Sequence, residues 1–317
     1  MEIRNLGRSG LRVSAIGLGC NNFGGRIDLE PTRKVIHKAI DLGITLFDTA
    51  DVYGNRGGSE TLMGQVLGDR RKDIVLATKF GNPMSDDGTK KGGSRRYIMT
   101  AVEDSLRRLK TDGIDLYQLH IVDPLTPIEE TLRALDDLVR QGKVRYIGLS
   151  NVPAWQVVEA QWTSRTCGLN AFTSCQDELS LVMRGIDRDI MPMAQKYGMG
   201  VLPYFPLANG LLTGKYSRNA PMPENSRLTT TQRLAERYLT DANWAIAEKL
   251  KDFAEKRGHT ILELAFSWLL CRPPVASVIA GATKPEQLEQ NVKAGGWKLT
   301  DDEMAEIDQI TGAQASA

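Results

Sequence analysis

The stretch Gly43-Ile44-Thr45-Leu46-Phe47-Asp48-Thr49-Ala50-Asp51-Val52-Tyr53-Gly54 decides the fold. Strand-forming residues from Ile44 to Phe47 run into a carboxylate, and the chain then enters a loop that carries a phenol five residues after the acid. An acidic side chain at the carboxyl end of a strand is where α/β enzymes keep their chemistry. Two more runs end in the same way, Ile74-Val75-Leu76-Ala77-Thr78-Lys79 and Ile114-Asp115-Leu116-Tyr117-Gln118-Leu119-His120. Adjacent parallel strands would gather Asp48, Tyr53, Lys79 and His120 at one end of a sheet.

Working outward, strand-like runs recur at 15–19, 44–48, 73–79, 114–120, 144–149, 171–176, 200–205 and 275–280. Amphipathic segments at 30–42, 59–69, 94–110, 127–141, 153–165, 186–198, 241–271 and 285–294 separate them. Eight strands alternating with helices predict an α/β protein whose parallel sheet closes into a (β/α)8 TIM barrel. The whole chain, 1–317, reads as one barrel domain. An open doubly wound sheet is the alternative, but Gly17-Leu18-Gly19-Cys20-Asn21-Asn22 lacks the third glycine of a dinucleotide turn. Residues 3–14 alternate around Gly7-Arg8-Ser9-Gly10 and predict an N-terminal β-hairpin. Thr300 with Glu303 predicts a capping box for an extra C-terminal helix, 301–311, followed by a frayed tail over 313–317. Residues 207–240 are too long for an ordinary βα connection and read as a functional loop.

A net charge of +1 gives no electrostatic case for nucleic acid or an acidic membrane surface. Cys20, Cys167, Cys175 and Cys271 have no CxxC spacing, and the only histidines are His37, His120 and His259. A zinc site or metal-dependent hydrolase is therefore not expected, and the thiols read as reduced, cytosolic ones. No apolar run approaches the length of a membrane span, and the N-terminus lacks a signal-peptide core. The expectation is a soluble, cytoplasmic protein.

The motifs Asp48-Thr49-Ala50 with Tyr53, Thr78-Lys79 and Leu119-His120 resemble those of the aldo-keto reductase family. The resemblance continues in order through Gly148-Leu149-Ser150-Asn151, Gln176, Tyr204-Phe205-Pro206-Leu207, and Gly281-Ala282-Thr283-Lys284-Pro285 with Gln287 and Asn291. It covers nearly the whole chain, and the cofactor motifs also resemble those of potassium-channel beta subunits. The resemblance implies an NADP(H)-dependent oxidoreductase that moves a hydride between nicotinamide and an aldehyde or ketone, or the reverse with a secondary alcohol. NADH would serve less well. Its small-molecule substrates would be aldehydes, ketones or alcohols, with neither nucleic acid nor membrane as a partner. The alternative implied is a cofactor-binding regulatory or redox-sensor subunit with little turnover.

Carbonyl reduction needs a proton donor beside the hydride donor. In the family pattern Tyr53 is that acid, and Lys79 is the cation expected to pull its pKa down. Asp48 is the counter-charge that a buried lysine needs, and His120 orients the carbonyl oxygen or assists proton transfer. By the same resemblance Ser150, Asn151 and Gln176 would hold the nicotinamide carboxamide. Tyr204, followed by Phe205 and Pro206, would stack on the ring. Leu207, Gly210 and Lys215 would lie along the pyrophosphate, with Arg227 folding over it. Gly281, Thr283, Lys284, Gln287, Gln290 and Asn291 would surround the adenosine phosphate at the N-terminus of helix 285–294. Gln287 stands where some family branches have an arginine, so Lys284 would carry most of the phosphate charge. Asn22, Phe23, Phe80, Ile121 and Val122 are expected to line a mostly apolar substrate mouth. With no long tail after the last helix to narrow it, that mouth predicts broad activity on aromatic aldehydes and bulky or cyclic ketones.

Overall fold

The computed structural model describes residues 1–312 except 219 and 225. The expected fraying of 313–317 lies outside the described residues. Two short strands, β1 (Ile3–Asn5) and β2 (Arg12–Ser14), form the antiparallel hairpin. Eight parallel strands follow: β3 (Ile16–Gly19), β4 (Leu46–Asp48), β5 (Val75–Phe80), β6 (Ile114–Leu119), β7 (Val144–Ser150), β8 (Ser174–Gln176), β9 (Gly200–Val201) and β10 (Val278–Gly281). Their order in the sheet is β10-β3-β4-β5-β6-β7-β8-β9. The two ends meet: Val201 bridges Val275 in parallel, and Ile279 N donates to Pro203 O at 2.9 Å. The protein is thus a (β/α)8 barrel with an N-terminal hairpin.

Successive side chains of a strand point to opposite faces, and here that rule separates core from site. Leu46, Ala77, Leu116, Leu202 and Ile279 face inward and form one apolar cluster with Leu6 and Val13 of the hairpin. The hairpin thereby plugs the amino-terminal end of the barrel. Gly7, at φ +60°, makes this closure possible, because a Cβ there would lie 2.4 Å from Gly198 O. The outward-facing set, including Phe47, Leu76, Phe80 and Tyr117, packs under the surrounding helices.

The helix expected over 241–271 is two helices, Asp241–Glu255 and Ile261–Leu270. Gly258 takes a left-handed φ of +75°, which ends the first. Thr260 and Glu263 then form a capping box that starts the second. The capping box predicted at Thr300 and Glu303 is present on the helix Asp301–Thr311. Segment 207–240 holds a 3-10 turn, Ala208–Thr213, and two short helices, Arg227–Thr230 and Gln232–Tyr238. Its far end is fastened to the barrel where Arg237 and the Tyr238 hydroxyl both reach the Glu178 carboxylate.

Candidate functional site

The inward register that places Leu46, Ala77 and Leu116 in the barrel interior places Asp48, Lys79 and Gln118 two residues further on, at the carboxyl end. His120 follows β6 directly, and Tyr53 lies in the loop after β4. The four side chains expected to cluster do meet. Lys79 is wholly buried, and its Nζ donates to Asp48 Oδ2 at 2.6 Å and to Thr49 O at 2.9 Å. The Tyr53 hydroxyl lies 3.5 Å from the same Nζ. The Tyr53 and His120 rings meet edge to face with centroids 5.6 Å apart.

Asp48 is held from two further sides. Its Oδ1 accepts from Gln118 Nε2 at 3.1 Å and from Gln176 Nε2 at 2.9 Å. Gln118 was missed by the sequence reading. The signal was available, since it stands two residues before His120 and therefore shares its face of the strand.

The electrostatics amend one expectation. Burial pushes the Tyr53 phenol above its ordinary value, and the Lys79 charge, which acts downward, does not reverse it. Tyr53 is accordingly a protonated phenol across the neutral range. Burial acts to lower Lys79, but the charges of Asp48 and Tyr53 and their hydrogen bonds outweigh it and leave the ammonium above its usual value. Burial, then the Lys79 charge, hold His120 well below the usual imidazole value, so it is neutral. Its Nδ1 is buried with no hydrogen-bond partner among the described residues. The arrangement offers a neutral acid, a fixed cation and a neutral imidazole around one point.

A buried polar layer supports these groups. Ser59 joins Thr49 Oγ1 at 2.8 Å and donates to Cys20 O at 2.8 Å. Glu60, with no exposed surface, accepts from Thr78 at 2.5 Å and from Arg108 at 2.7 Å. Asp51 takes a hydrogen bond from the Tyr97 hydroxyl at 3.3 Å, and burial followed by the charge of Glu60 raises its pKa to about 7. Immediately after Tyr53, Gly54, Asn55, Arg56 and Gly57 all have positive φ, a full left-handed turn inside the start of the helix Tyr53–Val66.

The residues assigned to a cofactor lie around the same mouth. Ser150 Oγ donates to Gln176 O at 2.8 Å, Asn151 Nδ2 to His120 O at 3.1 Å, and the Tyr204 hydroxyl to Asn151 Oδ1 at 2.8 Å. Tyr204 meets Phe205 edge to face, and the Arg227 guanidinium lies 5.1 Å over the Phe205 ring. Lys215 Nζ lies 4.9 Å over Tyr216 and beside Gly210. Among the described residues neither Lys215 nor Arg227 pairs with a carboxylate. On the same segment Asn209 is buried at φ +56°, with both amide atoms unpartnered among the described residues. Two unpaired cations and an orphaned amide on one loop fit the phosphates of a dinucleotide. Asn209 is the second residue that the sequence reading passed over, although an Asn-Gly pair favours positive φ.

At the helix Pro285–Ala294, Gln287 has a structural task. Its Oε1 accepts from Thr283 N at 2.7 Å and Lys284 N at 3.2 Å, filling the helix end expected to meet a phosphate. Lys284 and Gln290 are exposed, Asn291 is buried, and Gly281 lies against the Asn22 side chain. Pro206 and Leu207 lead into the 3-10 turn.

Two of the residues expected at the substrate mouth are elsewhere. Phe23 is wholly buried in the cluster under helix Leu29–Asp41, and Phe80 is wholly buried against Tyr117 at 4.7 Å. Phe80 follows Lys79 directly on β5 and so must face the other way. Asn22 is buried and turns its amide toward Ala282 O. Ile121 and Val122, half-buried after β6, remain available to a mouth. Among the described residues, no group of three or more His, Cys, Asp or Glu could hold a metal ion, and no helix is long and apolar enough to cross a membrane.

Comparison with known proteins gives the same picture. The profile of the aldo/keto reductase family matches residues 15–311. The "Probable voltage-gated potassium channel subunit beta" of Arabidopsis thaliana is 37% identical over 303 residues, covering 93% of this chain and 91% of that one. The "L-glyceraldehyde 3-phosphate reductase" of Escherichia coli K12 is 36% identical over 321 residues, covering 98% and 92%. A "Putative voltage-gated potassium channel subunit beta" of Schizosaccharomyces pombe is 38% identical over 326 residues, covering 98% and 93%. Barrel, mouth and relatives lead to one conclusion: the chain belongs to the aldo/keto reductase family, oxidoreductases that use a nicotinamide cofactor and act on small carbonyl compounds.

Proposed function

We propose that this protein is an NADPH-dependent carbonyl reductase, with Tyr53 as general acid and the chain acting as one domain whose 207–240 segment covers the cofactor. The observation that carries this reading is the dry Asp48–Lys79 pair with the Tyr53 hydroxyl 3.5 Å from the ammonium. The cofactor, when bound, supplies the hydride. The protein holds the carbonyl carbon toward the nicotinamide and gives a proton to its oxygen. Tyr53 is the proton donor, because burial keeps its phenol protonated. Lys79 stabilises the phenolate left behind, and the reverse oxidation of an alcohol uses that phenolate as base. Neutral His120 orients the oxygen. Ser150, Asn151, Tyr204, Lys215, Asn209 and Arg227 hold the cofactor.

The test is NADPH consumption with a panel of aromatic and aliphatic aldehydes, ketones and glyceraldehyde 3-phosphate, the last included because of the relative named for it. No consumption with any carbonyl would reject the enzyme reading. A second reading rests on the relatives named as channel beta subunits. In it the protein binds the cofactor tightly and turns over slowly as a regulatory subunit. Single-turnover oxidation of bound NADPH without steady-state turnover would favour it.

A further inference from the structure

A barrel of this kind fills its interior in layers whose members come from alternate strands and are usually bulky and apolar. Leu46 of β4 and Leu116 of β6 follow that rule. Two residues further along, the pattern breaks. The alternate strands β4, β6 and β8 contribute Asp48, Gln118 and Gln176, and all three side chains are buried. Polar groups in a core layer cost free energy unless they satisfy one another. These do: Gln118 Nε2 and Gln176 Nε2 both donate to Asp48 Oδ1, at 3.1 and 2.9 Å. Gln176 Nε2 also lies 3.5 Å from Gln118 Oε1.

The strand between them leaves the space. Gly148 of β7 stands beside Gln118 in register, and a Cβ there would lie 3.1 Å from Gln118 Cγ and 2.6 Å from Ser174 Oγ. Without a side chain at 148, the amide from β6 can meet the one from β8.

Chemistry fixes the direction of this bridge. A carboxylate only accepts, so both amides must turn their N–H groups toward Asp48. With Oδ1 taken by two donors, Oδ2 is left for the Lys79 ammonium, 2.6 Å away. The same ammonium lies 3.5 Å from the Tyr53 hydroxyl. On its other side, Gln176 directs its amide hydrogens to Asp48 and Gln118. Its Oε1 takes no hydrogen bond among the described residues. An amide oxygen recognises a donor, and a carboxamide N–H is one. Gln118 thus joins the group that places Lys79 to the group expected to meet the cofactor.

We propose, granting Tyr53 its role as the acid, that Gln118 is a positioning residue. It couples recognition of the nicotinamide carboxamide at Gln176 to the placement of the Asp48–Lys79 pair beside Tyr53.

The experiment compares Gln118→Leu, which keeps the bulk and removes both contacts, with Gln118→Glu, which keeps the shape. Binding is read by tryptophan quenching with NADP⁺ and with the phosphorylated ADP-ribose fragment, which lacks the nicotinamide. In Gln118→Leu the affinity for NADP⁺ is expected to fall about 2- to 10-fold, the range of one neutral hydrogen bond, with the fragment unchanged. Equal loss for both, as damage to the fold would give, or no loss for either, would overturn the coupling. The kcat of carbonyl reduction is expected to fall at least ~10-fold, since one hydrogen bond to a charged group is lost, with the KM of the carbonyl unchanged.

Gln118→Glu adds a pH readout. While protonated, the new acid donates its O–H to Asp48 and accepts from Gln176 as the amide did. Burial and the neighbouring Asp48 charge hold its proton above the ordinary ~4.3. Near pH ~5 this variant is expected to reduce several-fold faster than Gln118→Leu, and to lose that advantage as pH rises and the acid ionises. A Gln118→Glu variant no faster than Gln118→Leu at that pH, or a Gln118→Leu variant with unaltered kcat, would overturn the positioning role. Absence of turnover in the unmodified protein would reject the enzyme reading, whereas the binding comparison needs no turnover and tests Gln118 independently.

Discussion

Lys79 Nζ and Asp48 Oδ2 are 2.6 Å apart, and the two side chains are 0% and 4% exposed. A pair so dry is a weak source of stability while intact and a strong liability when halved. Asp48→Asn is expected to cost roughly 3–5 kcal/mol, because it strands a buried ammonium. Replacing both residues with apolar ones of similar size is expected to cost far less than the sum of the single changes. Urea midpoints of the two single variants and the double variant measure this. Additive losses would mean that the two side chains are not coupled.

Tyr53→Phe keeps the ring against His120 and removes the proposed proton donor. A fall in kcat of about 10²- to 10⁴-fold is expected on an unactivated ketone, with cofactor affinity unchanged. Near-full activity would assign the acid elsewhere.

The pH profile follows from the direction of the Tyr53 shift. The protonated phenol is the form that the proposed reduction needs, and burial raises its pKa above the ordinary ~10. Reduction should therefore show no alkaline limb between pH 7 and ~9.5 from this group, while alcohol oxidation should rise with pH as the phenol ionises. A descending limb for reduction centred near neutrality would contradict the assignment.

Cofactor choice is expected to depend on Lys284. A charge-assisted hydrogen bond to a phosphate contributes roughly 1.5–3 kcal/mol, about 10- to 150-fold in affinity. Lys284→Ala should weaken NADPH by that factor and leave NADH nearly unchanged, measured by tryptophan quenching. Equal losses for both cofactors would point to damage at the helix end, where Gln287 already caps the backbone of residues 283 and 284.

Asp177 follows β8, with Oδ2 buried and unpartnered among the described residues, and burial raises its pKa to about 7. The folded state keeps this proton to about 7, while the unfolded chain releases it near ~3.9. Stability therefore falls as pH rises through that window. Asp177→Asn should leave stability at pH 4 unchanged and increase it by roughly 2–4 kcal/mol at pH 8. Thermal unfolding at both values is the check.

The barrel was legible because eight strand-like runs alternate with helices, and Asp48, Lys79 and His120 all stand at strand ends. Tyr53 needed the family pattern, since a loop aromatic alone carries no direction. Phe80 was misplaced where apolar character was weighed and strand alternation was not. Phe23 lies outside any strand, so no periodicity could show that it turns inward. The split at Gly258 was hidden by apolar residues continuing at helical spacing across it. Gln118 and Asn209 were passed over although each carried a signal, strand alternation with His120 for the first and an Asn-Gly pair for the second.

The turn at Gly54–Gly57 has a consequence for how this site can vary. Its backbone winds against the hand of the helix it opens, and in that conformation every L side chain except a few small polar ones is strained. Space is closed as well: a Cβ on Gly54 would lie 2.4 Å from Phe23 O and 2.6 Å from Ser59 N. Alanine, the mildest exchange in an ordinary helix, is here among the least tolerable. The requirement comes from the backbone of residues 23 and 59, so position 54 calls for glycine whatever side chain stands at 53.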